Sequence, residues 1–241
     1  MKDSLAVLFD IPVEKAVFLE RLSRFSVKVR RDDASLTLHL TNTGRLQDLL
    51  RPDADIVYQP LRTEKCDGRI LGVAVPGGVA ILDTRLQSSA FEAAYRRGLI
   101  PWLEGLELKG KEVLVERSRV DYLFKDPGDR LVYVELKSAV YMNEAGGAMY
   151  PDTVSERGRK HCALLAKLAR RNGAKVVFVA AHPHAEFFTP CDEADPLIRP
   201  LLLKAASEGV EVRAVKTFMD KKGLVYWSLS DLPVDLTPRE K

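Results

Sequence analysis

The sequence predicts a mixed α/β (α+β overall) protein in which a small β-barrel precedes an α/β domain. Three observations carry this reading. Residues 17–82 break into short runs rich in β-branched and aromatic residues, separated by Gly, Pro and Asp turns. From residue 85 onward a helical period appears and alternates with strand-like runs. The 241 residues are 46% hydrophobic, which excludes a disordered chain and is enough to bury real cores. The change of pattern near Asp83 sets the expected domains at residues 1–84 and 85–241.

In the first half, residues 17–31 (VFLERLSRFSVKVRR) alternate over much of their length and group Phe25 with Val27 and Val29 on an inward face. Asp32-Asp33 marks a turn, and residues 35–41 alternate again. Residues 46–50 read as a short inserted helix. Residues 55–61, 69–75 and 79–84 read as further strands, the last two joined by Pro76-Gly77-Gly78. Short strands at this close spacing suggest a small barrel.

In the second half, residues 85–97 form a helix with Leu86, Ala90, Ala93 and Ala94 on one face, ended by Gly98. Strands follow at 112–117, 119–124 and 131–138, with a turn at 126–129 between the last two. A Gly-containing loop at 143–152 leads to a long helix over roughly 154–172, whose start is marked by Thr153 with Glu156 as a capping box. Residues 175–181 read as a buried strand, 197–208 as a helix, and 210–216 and 224–229 as strands.

Charge excludes an obvious polyelectrolyte binder: 37 Lys and Arg stand against 34 Asp and Glu, a formal net charge of +3. Two segments nevertheless concentrate cations. Residues 15–31 and 156–171 each hold six Lys or Arg against one Glu. They are two ordinary solvated faces unless the fold brings them to one side. The three cysteines, Cys66, Cys162 and Cys191, are widely spaced and form neither a disulfide framework nor a zinc motif. The apolar run at residues 5–9 is stopped by Asp10 and Pro12, too short for a leader, and no run approaches the ~20 residues of a membrane span. A cytoplasmic protein with no membrane association is expected.

One constellation carries chemistry. Asp121 lies on the second strand of the 112–138 array, and Glu135 and Lys137 lie two apart on the third, so they share a face. If the strands are neighbours, Asp121 reaches the same side. Two carboxylates and a backbone carbonyl near Leu136 suit a hard ion such as Mg²⁺ or Mn²⁺. The adjacent ammonium would position or activate a water. A Glu-x-Lys pair on a strand is commonly only a solvated face, and Glu107-Leu108-Lys109 is a second copy, placed before the array. The order helix, strand, Asp strand, Glu-x-Lys strand, helix favours Asp121, Glu135 and Lys137 as the site.

The stretches 116–124 (ERSRVDYLF), 133–140 (YVELKSAV) and 150–161 (YPDTVSERGRKH), with 20–25 (ERLSRF) and 41–46 (TNTGRL) in the first half, resemble the sugar fermentation stimulation protein family over about residues 12–228. The resemblance implies an N-terminal OB-like β-barrel followed by a PD-(D/E)xK restriction-endonuclease-like α/β domain. It also implies DNA binding, probing no particular base sequence, and a proposed link to sugar (maltose) metabolism. Asp121, Glu135 and Lys137 then occupy the nuclease-like signature, with Val120 where proline often stands. Glu92 on the first helix matches a position at which some related nucleases hold a further acidic metal ligand. Thr41 stands where proline is expected before Asn42-Thr43-Gly44.

Nucleic-acid contacts are expected from Arg21 and Arg24 on the barrel, from Asn42 and Arg45 in the 41–46 motif, and from Arg117 and Arg119 beside the site. Arg157, Lys160 and His161, in the first turns of the long helix, complete the set. Phe25 is read as core, Asp152 as loop or helix-start chemistry, and His182-Pro183-His184 as a loop and not a metal pair. The function expected is metal-dependent phosphodiester hydrolysis on DNA. The alternative is a DNA-binding regulator without turnover. The absence of a recognisable helix-turn-helix counts against an operator-reading repressor.

Overall fold

The computed structural model describes residues 5–237; residues 1–4 and 238–241, the outer ends of the two expected domains, lie outside it. The apolar run near the start is a strand, β1 (Ala6–Asp10). Five strands then close a barrel: β2 (Glu14–Ser23), β3 (Ser26–Arg31), β4 (Ala34–His39), β5 (Asp55–Pro60) and β6 (Gly68–Val75). β2 pairs with β3 and β5, β3 with β4, and β5 with β6. A parallel contact, Leu38↔Gly68 and His39↔Arg69, closes the ring between β4 and β6. Val27, Val29, Leu38, Ile56 and Ile70 fill its interior, as strand alternation requires. This is an OB-type barrel, and closure removes the free edges that such short strands would otherwise expose.

Residues 17–31 are a hairpin and not one strand. β2 and β3 pair from Val17↔Arg30 to Ser23↔Ser26 and turn at Arg24-Phe25. The Phe25 amide donates to Ser23 Oγ at 3.1 Å inside that turn. The turn breaks the alternation that grouped Phe25 with Val27, so the side chain is 53% exposed and the core assignment is corrected. Residues 46–50 make a single turn, with the Leu50 amide on the Leu46 carbonyl at 2.7 Å, and not a helix. Leu46, Leu49 and Leu50 still bury themselves in the barrel core.

β7 (Gly78–Ile81) forms a hairpin with β6. Asp83 then caps α1 (Thr84–Arg96), its carboxylate accepting the Arg85 amide at 3.0 Å. The Asp83 side chain is fully buried and also faces the Arg69 guanidinium at 3.0 Å, which ties the barrel to the helix start. β8 (Glu107–Val115), β9 (Ser118–Lys125) and β10 (Leu131–Ser138) form an antiparallel array. Glu107-Leu108-Lys109 therefore lies inside the array, on β8, where Lys109 pairs with Glu107 alone at 2.6 Å.

The expected loop at 143–152 contains structure: β11 (Tyr141–Met142) and β12 (Gly147–Tyr150) start a separate small sheet. α2 (Glu156–Ala169) follows. Its N-cap is Ser155, whose Oγ accepts the Gly158 amide at 3.1 Å, and not Thr153. β13 (Gly173–Ala180) lies parallel to β10, and β14 (Phe187–Pro190) completes the small sheet beside β12. α3 (Ile198–Ser207), β15 (Glu211–Met219) and β16 (Leu224–Leu229) close the chain. β1 pairs with β16, and Met219 of β15 pairs with Val79 of β7, so the barrel and the second half share one hydrogen-bonded sheet.

β13 shows why helices cover both faces. Ala174, Val176, Phe178 and Ala180 pack with α2 and α3, while Val177, Val179 and Ala181 pack on the side that α1 covers. On β10 the same alternation sends Val132 and Val134 toward α1, so Glu135 and Lys137 face α2.

Candidate active site

The site forms where β9 and β10 part. Their pairing runs from Leu131↔Lys125 to Val134↔Tyr122 and then stops, while β10 continues against β13 to Ser138↔Val179. Beyond that point side chains replace the ladder. Asp121 Oδ2 accepts the Leu136 amide at 2.6 Å, and the Asp121 amide donates to Glu135 Oε2 at 3.3 Å. Lys137 Nζ donates to Glu135 Oε1 at 2.6 Å, and His161 Nδ1 from α2 contacts the same oxygen. Lys137 Nζ also lies 3.5 Å from His161 Nδ1. Asp121, Glu135 and Lys137, read as a group from strand parity, are thus in one cluster.

The electrostatics follow from burial. Glu135 is 2% exposed. Burial pushes its carboxyl up, but the His161 hydrogen bond and the Lys137 charge outweigh this and hold it below the ordinary value. For Asp121 the balance is reversed: burial, then the like charge of Glu135, outweigh the Leu136 amide and the Lys137 charge and push it up to about 7. Burial works against the charged form of Lys137, yet the charges of Glu135, Tyr150 and Asp121, with the Glu135 hydrogen bond, together outweigh it and raise the ammonium pKa. The shift favours the charged form, which can orient a water or a phosphate.

Among the described residues no three His, Cys, Asp or Glu side chains converge as a ready metal-ligand group. Glu92, expected as a third acid, does not line the cleft that holds Asp121 and Glu135. Its carboxylate is taken by Arg96 at 2.8 Å, by Lys111 and by the Tyr122 hydroxyl at 3.2 Å. The donors at hand are Asp121, Glu135 and the Leu136 carbonyl, which shares a strand edge with the amide that Asp121 holds. This set fits a hard divalent ion. A buried Glu135 beside a half-buried Asp121 whose pKa is raised to about 7 is the like-charge strain that a cation relieves.

An open cleft of about 710 Å³ separates the barrel from this cluster. Arg24, Phe25 and Asn42 line its barrel wall; Tyr150, Val154 and Arg157 line the other. The two basic segments therefore meet in the cleft through Arg24 and Arg157. Many of their other cations are matched elsewhere: Arg31 by Glu14, Arg159 by Asp195, Lys167 by Glu116 and Arg170 by Glu208. The single basic face suggested by charge counting is smaller than expected.

The remaining expected contacts divide. Arg21 does not present its guanidinium to a ligand. It donates to the carbonyls of Ser23, Arg24, Gly44 and Arg45, clamping the β2–β3 turn to the 42–46 loop. Asn42 Oδ1 accepts the Gly44 amide at 3.0 Å, so this segment is an Asx turn on the cleft wall. Arg45 is exposed but outside the cleft, as are Arg117, Arg119 and Lys160. His161 is 4% exposed and holds Glu135, so it positions the site and cannot contact a phosphate backbone. His182 and His184 form a loop, with His184 Nε2 on the Pro76 carbonyl at 2.6 Å.

Two residues do something the sequence reading did not assign to them: Asp152, read as loop or helix-start chemistry, and Glu112, which it did not name. Asp152 Oδ2 accepts the Leu46 amide at 3.0 Å and so joins the α2 approach to the barrel. Glu112 on β8 has a left-handed backbone (φ 51°), shares a small cleft with Asp121 and adds to its raised pKa. Asp152 lies in the 150–161 motif but acts on a loop 106 residues away, and nothing local marks Glu112 as a neighbour of Asp121 across the β8–β9 hairpin.

Comparisons with known proteins agree with this architecture. A family model described as "Sugar fermentation stimulation protein RE domain" matches residues 85–223, and one described as "SfsA N-terminal OB domain" matches residues 19–82. A sugar fermentation stimulation protein homolog from Pyrococcus furiosus is 38% identical over 218 residues, covering 90% of this chain and 94% of that protein. The homolog from Archaeoglobus fulgidus is 38% identical over 212 residues, covering 87% and 90%. The solved structure of Pyrococcus furiosus SfsA in complex with Ca²⁺ superposes with a TM-score of 0.90 at 37% identity, over 95% of this chain and 99% of that one. Among the described residues no helix is long and apolar enough to cross a membrane.

Proposed function

The chain belongs to the sugar fermentation stimulation protein family, and on that premise we propose that it binds DNA in the cleft and hydrolyses phosphodiesters with Mg²⁺ or Mn²⁺ held by Asp121 and Glu135. One observation carries this reading. The β9–β10 ladder opens at Asp121 and Glu135, inside a cleft that also presents Arg24 and Arg157. The relative that carries Ca²⁺ supports it, since Ca²⁺ seeks the same hard oxygen donors.

Asp121, Glu135 and the Leu136 carbonyl hold the ion, which supplies Lewis-acid polarisation of a phosphoryl oxygen and a more acidic water. Lys137, kept charged by Glu135, steadies the negative charge that develops on the phosphate. His161 fixes the Glu135 carboxylate so that it need not reorganise. Arg24 and Arg157 hold backbone phosphates, which positions the strand without reading its sequence. The three cysteines are free thiols, which fits the cytoplasmic location in this reading.

The test is cleavage of labelled DNA with Mg²⁺ or Mn²⁺ by wild type and by Glu135→Gln. Cleavage that needs the ion and falls at least about 100-fold in the variant is expected. DNA binding without cleavage under either ion would leave a binding module and overturn the hydrolytic reading.

A further inference from the structure

We propose that the DNA taken by this cleft is single-stranded, and that Phe25 is the platform on which one unpaired base stacks. The inference rests on the cleft reading above and adds its substrate class.

Phe25 is a large aromatic left 53% exposed on the turn between β2 and β3. The turn is built to hold it there. Arg21 donates to the carbonyls of Ser23 and Arg24, the two residues that lead into the ring. Ser23 Oγ accepts the Phe25 amide and pairs with Ser26 Oγ at 2.8 Å. The Phe25 carbonyl accepts the Leu40 amide at 2.8 Å. A ring fixed through its backbone costs little ordering entropy when a ligand stacks on it. The Arg24 guanidinium lies over one face of the ring, 6.0 Å from its centroid, so a cation stands next to the place where a base on the opposite face would stack.

Position decides the occupant. Phe25 lines the cleft that holds Asp121 and Glu135, and it also lines a neighbouring groove of about 570 Å³ on the barrel. That groove is walled by His39, Leu61, Lys65 and Arg85, with Lys65 and Arg85 exposed. A polymer running from the groove to the carboxylates must pass the ring. Cations spaced along the track with an aromatic between them match a chain of phosphates carrying flat bases. A base in a duplex is covered above and below by its neighbours and offers no face to Phe25. A single strand does, without regard to base identity.

The test is equilibrium binding of fluorescent dT oligomers and of a blunt duplex of equal length, in EDTA so that no turnover intervenes. Wild type should bind the single strand more tightly than the duplex. Phe25→Ala should weaken single-strand binding roughly 5- to 100-fold and change duplex binding less than about 2-fold. Phe25→Trp should keep single-strand affinity, and its indole fluorescence should fall as strand is added. Unchanged single-strand binding in Phe25→Ala, an equal loss on both substrates, or no fluorescence response in Phe25→Trp would overturn the proposal. Because the readout is binding without metal, it stands apart from the hydrolytic reading: a protein that binds strands through Phe25 but never cleaves them fails only that reading.

Discussion

Asp121 and Glu135 are each bonded to the other's strand. The Asp121 carboxylate holds the Leu136 amide at 2.6 Å, and the Asp121 amide donates to Glu135 Oε2 at 3.3 Å. Side chains thus continue a ladder that the backbones have abandoned. The arrangement keeps two carboxylates together, Glu135 buried and Asp121 half-buried, and their unequal partners divide them: Glu135 is in direct contact with Lys137 and His161, while Asp121 holds the Leu136 amide and feels the Lys137 charge without contact.

That division gives a pH dependence. Asp121 is raised from an ordinary carboxylate value to about 7. The folded protein therefore holds this proton more tightly than the unfolded chain does. The stabilisation is fully present below about pH 4 and is lost as pH rises through about 7. Asparagine imitates the protonated form. In EDTA at pH 8, Asp121→Asn should be more stable to urea than wild type by about 1–3 kcal/mol, with the gap closing toward pH 4. A wild type that is the more stable protein at pH 8 would show that the buried charge costs nothing.

His161 tests how Glu135 is kept ionised. Removing it leaves a 2% exposed carboxylate with Lys137 as its one cationic partner. His161→Ala should lose about 1.5–3 kcal/mol of stability in denaturant titration at pH 7. The loss should shrink in Glu135→Gln/His161→Ala relative to the sum of the single variants, since the two share one interaction.

Gly44 and Asp152 test the joint between barrel and cleft. A Cβ at Gly44 would stand 2.3 to 2.7 Å from the Asp152 carboxylate, which is occupied with the Leu46 amide. The side chain can yield only by releasing that bond. Gly44→Ala should cost about 1–3 kcal/mol by thermal or urea unfolding. In an Asp152→Ala background the added methyl should cost less than about 0.5 kcal/mol, because the three atoms nearest to it all belong to the Asp152 carboxyl group.

Much of the architecture was legible because its signals are local. The residue pattern placed β4, β5, β6, β9, β10 and β13 but ran β2 and β3 together, and it placed α1, α2 and α3 within a few residues. Strand parity also put Glu135 and Lys137 on one face. What escaped was decided at a distance. β1 makes sense only once β16 is there to pair with it, and β12 only beside β14. Phe25 kept perfect parity with Val27 in the sequence, yet two serines and Arg21 turned the chain just before it. Arg21 and His161 had the right charge and location for nucleic-acid contacts, but backbone carbonyls and a buried carboxylate had already claimed them. Glu92 failed for the same reason, held by Lys111 from a strand whose start the sequence did not mark.

The most direct measurement is a calorimetric titration of the metal-free protein with Mn²⁺ at pH 8, beside Asp121→Asn and Glu135→Gln. Wild type should take up one ion at the shared carboxylates, and each variant should lose at least about tenfold in affinity while remaining folded. Equal Mn²⁺ binding by all three proteins would contradict the assignment of Asp121 and Glu135 as a divalent-ion site.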